Sequence, residues 1–383
     1  MPVEPPGILL LAELYPPTIG GSGVLLESLY SRLPNHRVHV ITDGTGSRVQ
    51  RGVPVTGVRM SARDWGVLGR GCLARHVRIA REVRRLTSGD VIVHCGRGLP
   101  EGLSAALSGR RFLCWTHGEE LGYASTSREL SWLLRRVYGR AAAIVANSRN
   151  SARLLGGWGV EADRITVIQP GVDATRFRPD ADRGAWRERH APHGELVLLS
   201  VGRLQRRKGH DLVLAALATW QPEDPPVRYL IAGDGDHREV LETEARSLGI
   251  RDRVVFLGPV SDDELPGLYA ASDIFVLPNR RDGVDFEGFG IVFLEAAAAG
   301  LPCIAGESGG APEAIQDGET GLLVSGTDHC ELADVIRRLA RSTDERQRMG
   351  ERGRRRALHE FRWEDGVRRL SDLHRRVSSG RQR

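Results

Sequence analysis

The sequence predicts an α/β protein built from two facing, doubly wound parallel-sheet domains, with the active site in the cleft between them. Three observations predict it. Short apolar runs alternate with helical patterns in the first half of the chain, and the alternation restarts after the polar segment Asp180–Gly194. The 383 residues suit two domains of the usual ~100–200. No stretch approaches the ~20 continuous apolar residues of a membrane helix. Open parallel sheets bind ligands beyond the carboxyl ends of their strands, so two such units in tandem place a ligand between them.

In the first half, strands are expected at Ile8–Ala12, Arg37–Thr42, Val91–His94, Arg111–Thr116, Ala143–Ala146 and Ile165–Ile168. Helices are expected near Gly23–Leu33, Leu73–Leu86, Ser127–Gly139 and Ser148–Gly156. The turn Gln169–Asp173 closes this half. Beyond the linker, strands are expected at Leu196–Val201, Arg228–Ala232, Val254–Leu257, Ile274–Leu277, Pro302–Ala305 and Gly321–Val324. Helices follow near Gly209–Ala218, His237–Leu248, Ser261–Ala271, Gly290–Ala299, Pro312–Gln316 and Glu331–Leu339, and the basic tail Phe361–Val377 is helical. Residues 1–180 and 181–362 are the two expected domains.

Composition excludes several classes. Five scattered cysteines, with no CxxC and no Cys/His spacing, offer neither a disulfide framework nor a zinc site, and a reducing cytoplasm suits them. Gly7–Leu11 is too short for a signal peptide, and acidic Glu4 precedes it. Net charge is +5. That is either a solvated, arginine-rich surface or an attraction for polyphosphates and anionic lipid. No basic–aromatic pattern points to nucleic acid. Lys208 is the one lysine among 54 basic residues. A lone lysine in an arginine-using chain suggests a site that needs a compact ammonium rather than a planar fork.

Four segments carry the candidate chemistry. The first is Asp285-Phe-Glu-Gly-Phe-Gly-Ile-Val-Phe-Leu-Glu295. On one helix Glu287 and Glu295 would lie ~80° and ~12 Å apart. Paired glycosidase carboxylates sit only ~5–10 Å apart, so these two suit opposite ends of one extended ligand. Gly288 and Gly290 allow close backbone approach, and a helix starting near Gly290 offers free N–H groups to a diphosphate. The alternative is a helix with an acidic start and a small-residue packing face. The second is Gly202-Arg203-Leu-Gln-Arg-Arg-Lys208-Gly209, between a strand and a helix. Arg203 can bind phosphate oxygens bidentately and Lys208 can add a point charge, unless this is a plain basic turn. The third, Tyr15–Gly23, contains Gly20 and Gly21. It lacks the GxGxxG spacing of a dinucleotide fingerprint and reads as a glycine-rich lip, or as a plain helix-start loop. The fourth, Trp115-Thr-His117-Gly-Glu-Glu120, puts His117 at a strand's carboxyl end, as a site residue or a satisfied loop histidine. Asp234-Gly-Asp236 imitates a metal-binding DxD but reads as a turn. Ser261–Glu264 reads as a capping box, with Asp262 free to touch a nucleobase.

Together these loops resemble the family-4 glycosyltransferases of the GT-B fold, from Gly20-Gly21 to Trp363-Glu364. Ser308–Glu313, Asp317–Val324, Val145–Ser148 and Pro170–Asp173 also resemble that family. The resemblance implies a retaining transferase that needs neither a divalent metal nor a bound cofactor. A nucleoside-diphosphate sugar is its co-substrate. Arg203 and Lys208 would hold the diphosphate, helped by the N–H groups of Phe289, Gly290 and Ile291. Glu295 would hold the ribose and Glu287 the sugar, with Val260 and Asp262 near the base. His117 would contact the sugar, Gly20-Gly21 would approach the phosphates, and residues from about 363 would cross back to the N-terminal domain. Gly283–Val324 is most similar to GDP-mannose-dependent phosphatidylinositol mannoside mannosyltransferases, which favours GDP-mannose over UDP-glucose or UDP-N-acetylglucosamine. The acceptor is left open: if Arg75–Arg85 and Trp132–Tyr138 lie against an anionic membrane, it is a glycolipid reached by peripheral contact at the inner membrane face. If those helices only pack on the sheet, the acceptor is a soluble aglycone. Rival readings are a pyridoxal phosphate Schiff base on Lys208, a non-catalytic nucleotide-sugar-binding subunit and a membrane-surface scaffold.

Overall fold

A computed structural model of the chain describes residues 7–16, 20–34, 37–60, 70–87, 91–183 and 185–380. The chain divides into two compact units, residues 1–170 with 363–383, and residues 171–362. The division falls earlier than the linker composition suggests. Val172 donates its N–H to the Phe361 carbonyl at 2.9 Å, and Phe177 is buried edge-on against Tyr269, so 171–180 is built into the second unit.

The first unit holds an eight-stranded sheet. Its strands are β1 (Gly7–Leu11), β2 (Val38–Thr42), β3 (Ser47–Gln50), β4 (Val53–Gly57), β5 (Val91–Cys95), β6 (Phe112–Thr116), β7 (Ile144–Ala146) and β8 (Ile165–Val167), in the order β3-β4-β2-β1-β5-β6-β7-β8. All neighbours are parallel except β3 and β4, an edge hairpin absent from the expected strands. Its two-residue turn, Arg51-Gly52, has positive φ at both positions, as a primed hairpin turn requires. The short helices Leu103–Ser108 and Glu119–Ser125 were also not expected. The helix Trp363–Ser379 belongs to this unit. Gly366 lets it approach closely: a Cβ there would lie 2.8 Å from the Leu29 side chain. Inside, a buried relay runs from Trp115 Nε1–H to the Tyr30 hydroxyl (2.9 Å), then to His94 Nδ1 (2.7 Å), and from His94 Nε2 to His374 Nδ1 (3.1 Å). It ties the terminal helix to the centre of the sheet.

The second unit holds six parallel strands, β9 (Leu196–Val201), β10 (Val227–Ala232), β11 (Val254–Gly258), β12 (Ile274–Leu277), β13 (Cys303–Gly306) and β14 (Gly321–Val324), in the order β11-β10-β9-β12-β13-β14. Alternate residues of β9 enter different cores: Leu196 and Leu198 on one face, Val197 and Leu199 on the other. Both faces are covered by helices, which is why these strands read as continuous apolar runs. One covering helix, Thr343–Glu360, was not expected, because among its charged residues only Met349, Gly350, Gly353 and Ala357 are buried. A Cβ at Gly350 would sit 2.0 Å from the Gly300 carbonyl oxygen. The chain runs outward from β9 through β10 to β11, then reverses to β12. The switch point, and the crevice it opens, therefore lies at the carboxyl ends of β9 and β12.

Candidate active site

Two loops meet at that switch point. The loop after β9 turns tightly through Arg206–Lys208 and reaches Gly209 at φ 75°. Gly209 can have no side chain, since its Cβ would fall 2.2 Å from the Pro278 carbonyl oxygen. The loop after β12, residues 278–290, runs alongside, and Arg280 N–H donates to the Arg207 carbonyl at 2.8 Å.

Their side chains pair in sequence order. Arg206 faces Asp282 at 3.5 Å. Arg207 reaches Asp285 through Nε at 3.0 Å and Glu287 through Nη1 at 3.1 Å. Lys208 Nζ donates to Glu287 Oε2 at 2.5 Å. Lys208 is 8% exposed and Glu287 9%. Burial pushes the Glu287 carboxyl upward, but Lys208 and Arg207 outweigh it and hold it at about 2. Burial also pulls Lys208 below its ordinary value, with Glu287 opposing. Glu287 is ionised at neutral pH, and the 2.5 Å contact pairs it with Lys208. The Lys208 Cε and Nζ lie only 3.8 Å from where a Gly202 Cβ would be, so the ammonium sits against bare backbone. Arg203 is exposed at the start of the same loop.

Glu287 lies ahead of the helix Ile291–Ala298, and Glu295 lies more than a turn inside it. Gly290, at φ 87° and ψ 69°, is the left-handed residue that starts the helix, and its missing Cβ leaves room for the Phe293 ring. Among the described residues the main-chain N–H groups of Phe289, Gly290 and Ile291 have no backbone acceptor, as expected at a helix start. Behind them runs Ser308-Gly309-Gly310. Gly310 N–H donates to the Glu287 carbonyl at 2.9 Å, and Cβ atoms at Gly309 and Gly310 would lie 2.0 and 2.2 Å from the carbonyl oxygens of Glu287 and Gly288. The glycine pair is thus the backing that fixes Glu287 and Gly288. Asn279, fully buried, ties the same tract to β12 by donating to the Ser308 carbonyl at 3.0 Å.

At the helix interior the Tyr269 hydroxyl donates to Glu295 Oε2 at 2.8 Å. Burial raises the Glu295 carboxyl to about 6, against the pull of that hydrogen bond and of Arg176. Arg176 lies 4.9 Å over the Phe177 ring and pairs with Asp262 at 3.8 Å, so Asp262 and Glu295 share one cation. Val260 is partly buried against the core cluster that contains Tyr269. The helix after Ser261 starts only at Leu265, and the Ser261 hydroxyl bonds the Glu264 carboxylate at 2.6 Å rather than an N–H of the first turn. Asp234-Gly235-Asp236 is a turn whose carboxylate accepts from its own Gly235 N–H. Among the described residues no cluster of three or more His, Cys, Asp or Glu is placed to hold a metal ion.

In the first unit His117 is 5% exposed and stacks on Trp115 at 6.4 Å. Its Nε2 is tied to the Gly96 carbonyl at 3.0 Å, its N–H donates to Glu120, and burial with Arg97 nearby pulls the ring down to about 4. It is therefore a neutral imidazole with Nδ1 unpaired among the described residues. Arg97, its side chain 11% exposed, faces Glu13, Glu101, Glu119 and Glu120, and burial raises Glu101 and Glu120 to about 7 despite it. Gly20 starts the helix Gly21–Tyr30, and a Cβ on Gly21 would meet nothing within 4 Å. No packing explains that glycine. Pro17, Thr18 and Ile19 of the lip lie outside the described residues.

Residues 182–356 match the glycosyl transferases group 1 family and residues 19–176 match glycosyltransferase family 4. A GDP-mannose-dependent alpha-(1-6)-phosphatidylinositol monomannoside mannosyltransferase of Mycobacterium tuberculosis is 33% identical over 380 residues, covering 96% of this chain and 97% of the relative. The chain belongs to glycosyltransferase family 4. The mannosyltransferase of the same description from Mycolicibacterium smegmatis is 36% identical to this transferase over 275 residues, 71% of this chain and 72% of its own. Among solved structures, Anabaena HepE in complex with UDP and glucose superposes with a TM-score of 0.81 at 22% identity, over 96% of this chain and 98% of that one. Sucrose-phosphate synthase from Thermosynechococcus elongatus gives 0.84 at 22%, over 98% and 100%. These two likenesses show the fold, the two Rossmann-like units of GT-B.

The second unit of the transferase brings Lys208, Glu287, Gly288 and Gly290 together at the switch point. Glu295 and Asp262 form a separate polar group around Tyr269 and Arg176. Sequence reasoning gave no role to Arg207 or Asp285, though both lie in the candidate segments, and passed over Asn279, Arg176 and Tyr269. Arg207 carried a signal, as the neighbour of the lone lysine. Tyr269 carried none, being one more aromatic in an apolar helix.

Proposed function

We propose that the enzyme transfers a mannosyl unit from GDP-mannose to a hydroxyl of a phosphatidylinositol mannoside, with retention of configuration and without a divalent metal. One observation carries the reading. At the carboxyl ends of β9 and β12 a buried ammonium, a glycine-opened helix start and a carboxylate locked in ionised form lie side by side. An ammonium and free N–H groups suit a diphosphate; an ionised carboxylate suits sugar hydroxyls. The description of the mycobacterial relatives supports the choice of donor and acceptor.

In this reading Arg203, Lys208 and the N–H groups of Phe289–Ile291 hold the pyrophosphate. Glu295 accepts from the ribose diol, Val260 and Asp262 flank the base, and Glu287 accepts from the mannose. The acceptor oxygen bonds to C1 on the face from which the diphosphate leaves. The C1–O bond to phosphate breaks, the departing phosphate oxygen takes the acceptor's proton, and GDP is released. Two helices of the first unit support a lipid acceptor. Arg70–Leu86 exposes Leu73 and, further along, Arg78, Arg81 and Arg85, and Arg128–Arg140 exposes Trp132 under Arg136. Such faces suit an anionic membrane surface. Among the described residues no helix is long and apolar enough to cross a membrane.

The test is Glu287→Ala. Transfer should fall steeply while GDP binding persists or tightens, because Lys208 and Arg207 lose the carboxylate that occupies them. Equal loss of both contradicts the assignment. A thermal-shift panel of GDP, UDP, ADP and dTDP sugars tests the base, since a ligand that binds only the folded state raises the melting temperature. A larger shift with a UDP sugar removes GDP-mannose.

A further inference from the structure

Lys208 has two anions to serve. Its three N–H donors can reach both a phosphate oxygen and Glu287, but it brings a single positive charge. As it is drawn to a diphosphate, the Glu287 carboxylate stays buried and loses part of its counter-charge. A buried carboxyl short of a cation drifts toward its neutral form, which accepts hydrogen bonds from a sugar more weakly. A second cation is already in place. The Arg207 guanidinium spans Asp285 through Nε and Glu287 through Nη1, and its own main chain is pinned by Arg280 N–H at 2.8 Å. Its side chain is 13% exposed, so solvent screens it little. A planar fork suits two carboxylates two residues apart, whereas a point charge suits one carboxylate and a phosphate. Adjacent positions therefore carry different cations.

The charged groups packed around Glu287 are Arg207 and Lys208 from the β9 loop and Asp285 from its own loop. The Ser308–Gly310 tract against its main chain is uncharged, and the Glu287 Cγ and the Phe293 ring both border the space that a Cβ on Gly290 would fill. Asp285 would act on Glu287 as a like charge if Arg207 did not neutralise it.

We propose that Arg207 is a positioning residue for the transfer. It fixes the Glu287 carboxylate at the donor sugar and keeps it ionised while Lys208 engages the diphosphate. The inference rests on the donor site proposed above.

The experiment compares the wild-type enzyme with Arg207→Gln, Arg207→Lys and Arg206→Gln, measuring GDP affinity and the pH profile of kcat with GDP-mannose. Arg207→Gln should bind GDP within about threefold of wild type, because GDP lacks the sugar Glu287 would hold. Its kcat should fall roughly 10- to 100-fold, and the acid limb of kcat should move up by ~1–3 pH units as Glu287 loses its remaining cation. Arg207→Lys keeps the charge but reaches one carboxylate. It should restore the acid limb to within about one pH unit while leaving kcat reduced about tenfold. Arg206→Gln, in an exposed pair with Asp282, should match wild type. An acid limb that stays put in Arg207→Gln, or moves equally in both Arg207 variants, overturns the inference and leaves the donor reading standing. Should Arg207→Gln fail to fold, the Arg207→Lys limb decides, and a limb displaced by more than about two units overturns the role. Wild-type enzyme that turns over no GDP-mannose removes the donor reading and the role of Arg207 with it.

Discussion

Replacing Lys208 by methionine removes the ammonium and keeps most of the stem. Glu287 titrates at about 2 in the folded protein against an ordinary 4.5. That gap corresponds to roughly 3 kcal/mol of favourable interaction with the ionised carboxylate at neutral pH. That gap is what remains after the burial penalty on the carboxylate, so the two cations, Lys208 at 2.5 Å and Arg207 at 3.1 Å, together supply more than it, and at least about 2 kcal/mol falls to Lys208. Removing the lysine also relieves the desolvation of a buried ammonium, so the expected net destabilisation is about 1–2 kcal/mol. For a unit of this size that lowers the melting temperature by roughly 2–8 °C. The sign follows from the lowered carboxyl. Its contribution is fully present above about 4.5 and is lost as pH falls toward 2. The gap between wild type and variant should therefore be constant from pH 5 to 8 and close progressively below pH 4.5. Urea denaturation midpoints at pH 7 and pH 3.5 read it directly. Equal stability at pH 7, or a gap undiminished at pH 3.5, refutes the ion-pair account. The same variant should bind GDP about 10- to 100-fold more weakly, the worth of one charge-assisted contact.

Four further outcomes are expected. Glu295 titrates at about 6, so if it must be ionised to accept a ribose diol, GDP affinity should fall by up to about tenfold per unit below pH 6 and level off above pH 7. Calorimetry across pH 5–8 checks this, and Glu295→Gln should flatten the profile. Gly310→Ala puts a methyl 2.2 Å from the Gly288 carbonyl oxygen and should abolish GDP binding or cost more than ~3 kcal/mol. Gly139→Ala, with nothing within 4 Å and a helical setting, should be neutral or stabilising by up to ~1 kcal/mol on thermal melting. Glu101 is 1% exposed, its Oε2 has no hydrogen-bond partner among the described residues, and burial raises it to about 7 against the pull of Arg97. A raised carboxyl costs stability as pH climbs through 7, so Glu101→Gln should gain about 1–3 kcal/mol over wild type at pH 8 and little at pH 5, by denaturant titration.

The central strands were legible because they are buried on both faces. Leu196–Val201 and Ile274–Leu277 are unbroken apolar runs, and the structure places them at those residues. The β3–β4 edge was not legible, since half of it faces solvent and its turn is Arg-Gly rather than Asn-Gly. The helix Thr343–Glu360 hides for a related reason. It packs through glycines and one methionine, which leave no apolar stripe to read. At the site, Glu287, Glu295 and Lys208 were visible as residue types in odd places. Their partners were not. The Lys208–Glu287 and Arg207–Asp285 contacts join loops about 80 residues apart, and only the adjacency of β9 and β12 brings those loops together. Sequence spacing measures distance along one helix; it says nothing of a contact made by strand order.

The single lysine provides the most direct test of where the diphosphate binds. Protein labelled with 15N-lysine carries one side-chain ammonium, that of Lys208. With GDP added, its resonance should move and saturate in step with calorimetric binding, while guanosine, which has no phosphate, should leave it in place. A resonance unmoved at saturating GDP would mean that the pyrophosphate is bound elsewhere.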